Sequence, residues 1–141
     1  MSNEREHTGG CLCGAVRYRA SGEPTEINIC YCTQCRRQSG SPMSVFPTYP
    51  LDRFELLRGS PGSFRASDRA TRQFCSVCGS ALFWRRDGAR ELDIFLGSFD
   101  EPACLRKPES QIWTQHRIPW IPPMPEIRAF ARTRQEGQGE A

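Results

Sequence analysis

Seven of the eight cysteines fall into three short knots: Cys11-Leu12-Cys13, Cys30-Tyr31-Cys32-Thr33-Gln34-Cys35 and Cys75-Ser76-Val77-Cys78. This is metal-ligand spacing, and it divides the sulfurs unevenly. A structural zinc takes four protein ligands in a closed tetrahedron, whereas a working zinc keeps three and leaves the fourth position to water or substrate. Seven sulfurs therefore make one closed site and one open site. The outer knots resemble each other, since each ends in a glycine, Cys13-Gly14 and Cys78-Gly79, that lets the backbone turn tightly. Cys11, Cys13, Cys75 and Cys78 are accordingly assigned to the closed site, which would staple distant parts of the chain and add folding free energy outright. Cys30, Cys32 and Cys35 remain for the open one, giving two metal ions per chain.

The competing readings are disulfides and buried free thiols. Residues this close in sequence do not easily reach the Cα separation and dihedral of an unstrained disulfide. The stretch Met1 to His7 is polar and lacks the apolar core of an export signal, which points to the cytoplasm. Cys104, in Pro102-Ala103-Cys104-Leu105, is expected as a half-buried free thiol.

A chain of 141 residues with 38% hydrophobic content suits one domain helped by a metal staple. No apolar run reaches membrane-spanning length. The formal charge is +3, but the 19 basic residues, all arginine except Lys107, are scattered. Nucleic-acid binding calls for a basic stripe with interleaved aromatics, which is missing.

Most of the chain reads as short strands between turns. Val16, Tyr18 and Ala20 alternate with Arg17 and Arg19, the period of a half-buried strand. Further strands are expected at 27–30, 43–48, 54–57, 63–66, 73–74, 81–85 and 92–96. Thr33 to Ser39 forms about two helical turns closed by Gly40. The expectation is a mainly β fold: a compact single domain of several small antiparallel sheets, stapled by a structural zinc, with one or two short helical turns. The domain spans 9–130, between disordered tails at 1–8 and 131–141, and 113–125 is an extended proline-rich segment laid over it.

Gly-Gly-Cys-Leu-Cys-Gly-Ala-Val-Arg-Tyr at 9–18, Cys-x-Cys-x-x-Cys-Arg followed by Ser39-Gly40, Phe74-Cys75-x-x-Cys78-Gly79-Ser80, Gly97-Ser98-Phe99-Asp100 and Ile112-Trp113 leading to Pro119-Trp120 occur in order. Together, over roughly residues 9–122, they closely resemble the glutathione-dependent formaldehyde-activating enzyme family, which also includes centromere protein V. The resemblance implies a compact fold of several antiparallel sheets. It also implies a structural zinc at Cys11, Cys13, Cys75 and Cys78 and a catalytic zinc at Cys30, Cys32 and Cys35. The implied reaction joins glutathione to formaldehyde, a carbon–sulfur lyase activity in reverse. Two positions depart from the pattern, Tyr31 and Gln111, where many relatives carry histidine.

Three thiolates leave a divalent zinc at a formal charge of about −1, so it polarises a carbonyl less strongly than a zinc held by neutral histidines. Adding a thiol to a small aldehyde suits such a centre better than amide hydrolysis does. Glutathione carries two carboxylates, and Arg36 or Arg37, directly after Cys35, can grip one through paired hydrogen bonds. The alternative for each is a solvated arginine. Gln38 and Ser39 can donate to the sulfurs or simply end the helix. His116 can approach the open site or carry a proton, His7 lies in the expected tail, and Trp113 and Trp120 are packing residues or pocket walls. The competing function is a non-catalytic zinc-stapled β module that binds a protein or nucleic-acid partner. It would gain if Cys104 or His116 closed the open site.

Overall fold

A computed structural model describes residues 5–133. The expected mainly β class is what it shows. In chain order the elements are β1 (Glu6–Gly10), β2 (Arg17–Ser21), β3 (Glu26–Cys30), α1 (Thr33–Ser39), β4 (Ser44–Pro50), β5 (Phe54–Arg58), β6 (Gly62–Arg65), β7 (Ala70–Phe74), β8 (Ala81–Arg86), β9 (Glu91–Ile94), β10 (Ser110–Ile112) and β11 (Arg128–Ala129), with short 3-10 turns between some of them. The chain forms two compact units, each from two stretches: Met1–Thr25 with Pro47–Arg106, and Glu26–Phe46 with Lys107–Ala141.

In the first unit, β1, β2 and β5 make an antiparallel sheet in that order. The alternation read in β2 places Tyr18 and Ala20 in the core at 0% exposure. On the opposite face Arg17 binds Asp100 through both guanidinium nitrogens, and Arg19 pairs with Glu55. The rings of Phe54, Phe83 and Phe99 surround Tyr18 at centroid distances of 5.8, 5.4 and 5.5 Å. Burying one phenylalanine side chain such as Phe83 stabilises by about 1.5–3 kcal/mol. The Tyr18 hydroxyl meets the Ser98 hydroxyl at 2.6 Å, so its polar end is satisfied too. Gly9 packs so closely that a Cβ there would lie 2.3 Å from the Tyr18 oxygen.

Thr48–Pro50 of β4, β9, β8, β7 and β6 continue the first unit as antiparallel neighbours. A register shift between Gln73 and Phe74 bends β7 immediately before Cys75, as bulges do where a chain must be re-aimed.

The second unit contains parallel pairings. Here β10 lies between β3 and β11 and runs parallel to both, pairing Ile112 with Cys30 and Gln111 with Ala129. All three strands therefore deliver their C-terminal ends to the same edge. Its core is Ile29, Tyr31 and Ile127, with Met43, Val45 and Met124 against them.

Several boundaries differ from expectation. The N-terminal tail was expected to run to residue 8, but Glu6–Thr8 belong to β1. Their polar sequence hides a strand whose inward residue is His7, 6% exposed and packed edge-on against Phe99. Strand β10 carries no hydrophobic alternation because buried Ser110 and Gln111 are polar, and β11 is only two residues long. The tail expected at 131–141 lies, apart from 131–133, outside the described residues, as do residues 1–4. Helix α1 spans the expected residues and ends at Gly40, whose φ is +70°.

Candidate functional site

The first cysteine cluster is assembled from two tight turns. One joins β1 to β2, with the Cys11 amide donating to Val16 O (3.1 Å) and the Gly14 amide to Cys11 O (3.2 Å). The other joins β7 to β8, with the Cys75 amide on Ser80 O (3.0 Å) and the Gly79 amide on Cys75 O (2.8 Å). Gly14 and Gly79 have φ of +84° and +82° and open space where a Cβ would stand, so backbone conformation alone calls for glycine there. The turns aim amides at sulfur: Val16 N donates to Cys11 Sγ (3.2 Å), and Val77 N and Cys78 N donate to Cys75 Sγ (both 3.4 Å). Ser80 ties the turns together, its Oγ accepting from Leu12 N at 3.0 Å and lying 3.2 Å from Cys78 Sγ.

The four sulfur atoms lie within 4.8 Å of one another. The Cys11–Cys13 and Cys13–Cys75 separations are 3.6 and 3.8 Å. A zinc–sulfur bond of about 2.3 Å implies a tetrahedral edge of about 3.8 Å, so this donor set fits zinc. The Ser80 hydroxyl, followed by backbone amides, holds the Cys78 thiol down at about 5. At Cys13 the Ala15 amide pulls downward, but desolvation and hydrogen bonds shared with neighbouring thiols outweigh it, and the thiol rises to about 11. The rise at Cys13 comes from protons shared among crowded sulfurs, and a divalent cation would displace those protons.

The second cluster is built differently. Strand β3 ends in Cys30, Tyr31 follows, and Cys32 is the N-cap of α1, its Sγ accepting from the Cys35 amide at 3.3 Å. The Sγ separations are 3.1 Å for Cys32–Cys35 and 3.4 Å for Cys35–Cys30, narrower than a tetrahedral edge, so the sulfurs would spread by about 0.4–0.7 Å around zinc. Cys30 and Cys35 are buried while Cys32 is half-exposed. Hydrogen bonds with Cys32 and Cys35, reinforced by burial, push the Cys30 thiol far up. Such a trio cannot ionise fully without a cation, and it fits a metal with an open position.

Among the described residues, no fourth Cys, His, Asp or Glu atom joins the trio. His116 is exposed and stacked on Trp113 at 5.6 Å. Cys104 Sγ faces the Glu101 carboxylate at 3.8 Å and belongs to neither cluster. All eight cysteines are free thiols. Arg36 is half-buried on α1 and Arg37 is exposed. Ser39 closes the helix, donating to Cys35 O at 2.8 Å. The sequence reading missed that its two departures touch: the Tyr31 hydroxyl donates to Gln111 Oε1 at 3.0 Å. The pairing of the departures was the available signal.

The sequence model of the glutathione-dependent formaldehyde-activating enzyme family matches residues 6–116, which carry both clusters. The chain belongs to this family. An uncharacterized lyase of Schizosaccharomyces pombe is 30% identical over 79 residues, covering 56% of this chain and 57% of the yeast protein. A Halomonas elongata protein, provisionally named a glutathione-dependent formaldehyde-activating enzyme, is 29% identical over 85 residues, covering 53% of each. In both cases the match spans just over half of the relative's length. The crystal structure of a Rhodobacter sphaeroides protein superposes with a TM-score of 0.55 at 23% identity, covering 66% of this chain and 87% of that one, and it shares the fold. No helix among the described residues is long and apolar enough to cross a membrane.

Proposed function

We propose that the chain is a zinc-dependent enzyme of carbon–sulfur lyase type that forms or cleaves the adduct of glutathione with formaldehyde or a similar small aldehyde. The observation that carries this reading is the second cluster: three converging sulfurs with no fourth protein ligand among the described residues. Cys30, Cys32 and Cys35 would hold the catalytic zinc, and Cys11, Cys13, Cys75 and Cys78 the structural one. A module that only bound a partner would have no use for an open ligand position, so the binding-module reading is the weaker one.

Bound at the trio, zinc would act as a mild Lewis acid that orients the aldehyde oxygen or lowers the pKa of the incoming thiol. The chemistry is an addition: a carbon–sulfur bond forms, the carbonyl π bond breaks, and the thiol proton passes to the new hydroxyl. No oxidant or reductant is required. Arg36 follows Cys32 by four residues, on the same side of α1, and would take a glutathione carboxylate. Arg37 is the more exposed of the two and is left to solvent in this reading. The reducing cytoplasm is the compartment that suits eight free thiols.

The test is exchange NMR of glutathione and formaldehyde with zinc-loaded protein. Condensation faster than in buffer, and returned to the buffer rate by Cys35→Ser, is expected. A zinc-loaded protein that leaves the buffer rate unchanged would overturn the proposal.

A further inference from the structure

The loop 113–127 leaves β10 and returns to β11, and Gln111 closes its neck. The Gln111 carbonyl accepts from Phe130 N at 2.8 Å, while its side-chain Nε2 donates to Met124 O and Ile127 O, each at 2.9 Å. Two carbonyl acceptors use both amide hydrogens, so the amide oxygen is left for a donor. That donor is the Tyr31 hydroxyl at 3.0 Å. Tyr31 is 0% exposed, and it stands between two cysteines of the trio. Its own amide donates to Ile112 O at 3.2 Å, and its ring packs against Ile127.

One buried side-chain amide thus holds the loop on one side and the trio's intervening residue on the other. The backbone of Tyr31 cannot shift without carrying Cys30 and Cys32, its covalent neighbours, and it is held at its amide by Ile112 O and at its hydroxyl by Gln111. The loop holds Trp113 in a left-handed conformation with φ +57°, a strain that persists only where surrounding contacts impose it. It also carries His116 and the 74% exposed Trp120. Resting on the reading of the trio as a metal site, we propose that Tyr31 and Gln111 are positioning residues. They clasp the 113–127 loop to the trio, so that order in the loop and metal affinity at the trio rise and fall together.

Removing one partner of a buried hydrogen bond leaves the other unsatisfied, which loosens more than the bond itself. Residues that orient metal ligands typically change metal affinity by about 10–100-fold when replaced. The experiment compares the parent protein with Tyr31→Phe and Gln111→Leu, using cobalt(II) titration and hydrogen exchange resolved by mass spectrometry. Each variant is expected to bind cobalt at least about tenfold more weakly at the trio, with the four-cysteine site unchanged as internal reference. Exchange should rise both in 113–127 and in 30–36. Faster exchange confined to 113–127, with parental cobalt affinity at the trio, would reduce Gln111 to a loop anchor and overturn the proposal. Should Gln111→Leu fail to fold, Tyr31→Phe deletes a single oxygen and carries both readouts. If the parent takes no cobalt at the trio, the enzyme reading falls, and coupled or uncoupled exchange in the two segments alone decides the clasp.

Discussion

The four-cysteine cluster draws its sulfurs from two turns far apart in sequence, whereas the trio takes all three from one strand end and the helix that follows. In the first, backbone amides from both turns reach the sulfurs, and Ser80 joins the turns. In the second, Cys32 Sγ caps the helix by accepting from the Cys35 amide, and Tyr31, between two of the cysteines, donates to Gln111. A metal in the first cluster can bind only once turns far apart in sequence have come together, so its binding free energy would become folding free energy. A metal in the second closes almost nothing, so its binding energy is free to serve a ligand. Under the proposed function, the contrast would separate a metal that folds the chain from a metal that works.

The largest test of that contrast is Cys75→Ser. Structural zinc sites in small domains contribute about 10–16 kcal/mol, as much as the whole stability of a typical domain. The variant should lose its cooperative thermal transition by circular dichroism. Cys35→Ser should keep that transition within a few degrees of the parent and lose turnover. If Cys35→Ser unfolds the protein and Cys75→Ser does not, the two roles are reversed.

Acid should sharpen the same difference. Metal binding requires thiolates, and a thiol whose pKa is raised favours the proton over the metal. Shared protons raise Cys30 in the trio and Cys13 in the four-cysteine cluster alike, but that cluster offers a metal four protein ligands, one of them Cys78 held at about 5 by Ser80, against the trio's three. As pH falls, a zinc-release assay should therefore detect loss from the trio first and from the four-cysteine cluster at lower pH. Release in the opposite order would contradict the assignment.

Smaller effects concern the residues around the trio. Loss of a charge-assisted hydrogen bond costs about 1.5–3 kcal/mol, so Arg36→Ala should raise the KM for glutathione about tenfold or more. Arg37→Ala should change it less than about twofold. Cys104→Ala should alter neither zinc content nor stability beyond about 0.5 kcal/mol, since Cys104 stands outside both clusters.

Both clusters were legible in the sequence because metal-ligand spacing is a local constraint that a few residues express completely. The same holds for α1, bounded by Cys32 and Gly40, and for β2, where Tyr18 and Ala20 alternate with arginines. What escaped depended on partners distant in sequence. Strand β1 is polar, and its inward residue is a histidine made apolar in effect by Phe99. Strand β10 is three residues long and buries Ser110 and Gln111, which no hydrophobic period can reveal. The Tyr31–Gln111 hydrogen bond joins positions 80 residues apart, and only the parallel register of β3 and β10 brings them together.

The most direct test is zinc per chain, by elemental mass spectrometry, for parent and Cys35→Ser protein purified without chelator or metal-binding tag. About two zinc ions in the parent and about one in the variant are predicted from one closed and one open ligand set. One zinc in both proteins, unchanged when zinc is supplied, would contradict an open metal site at the trio.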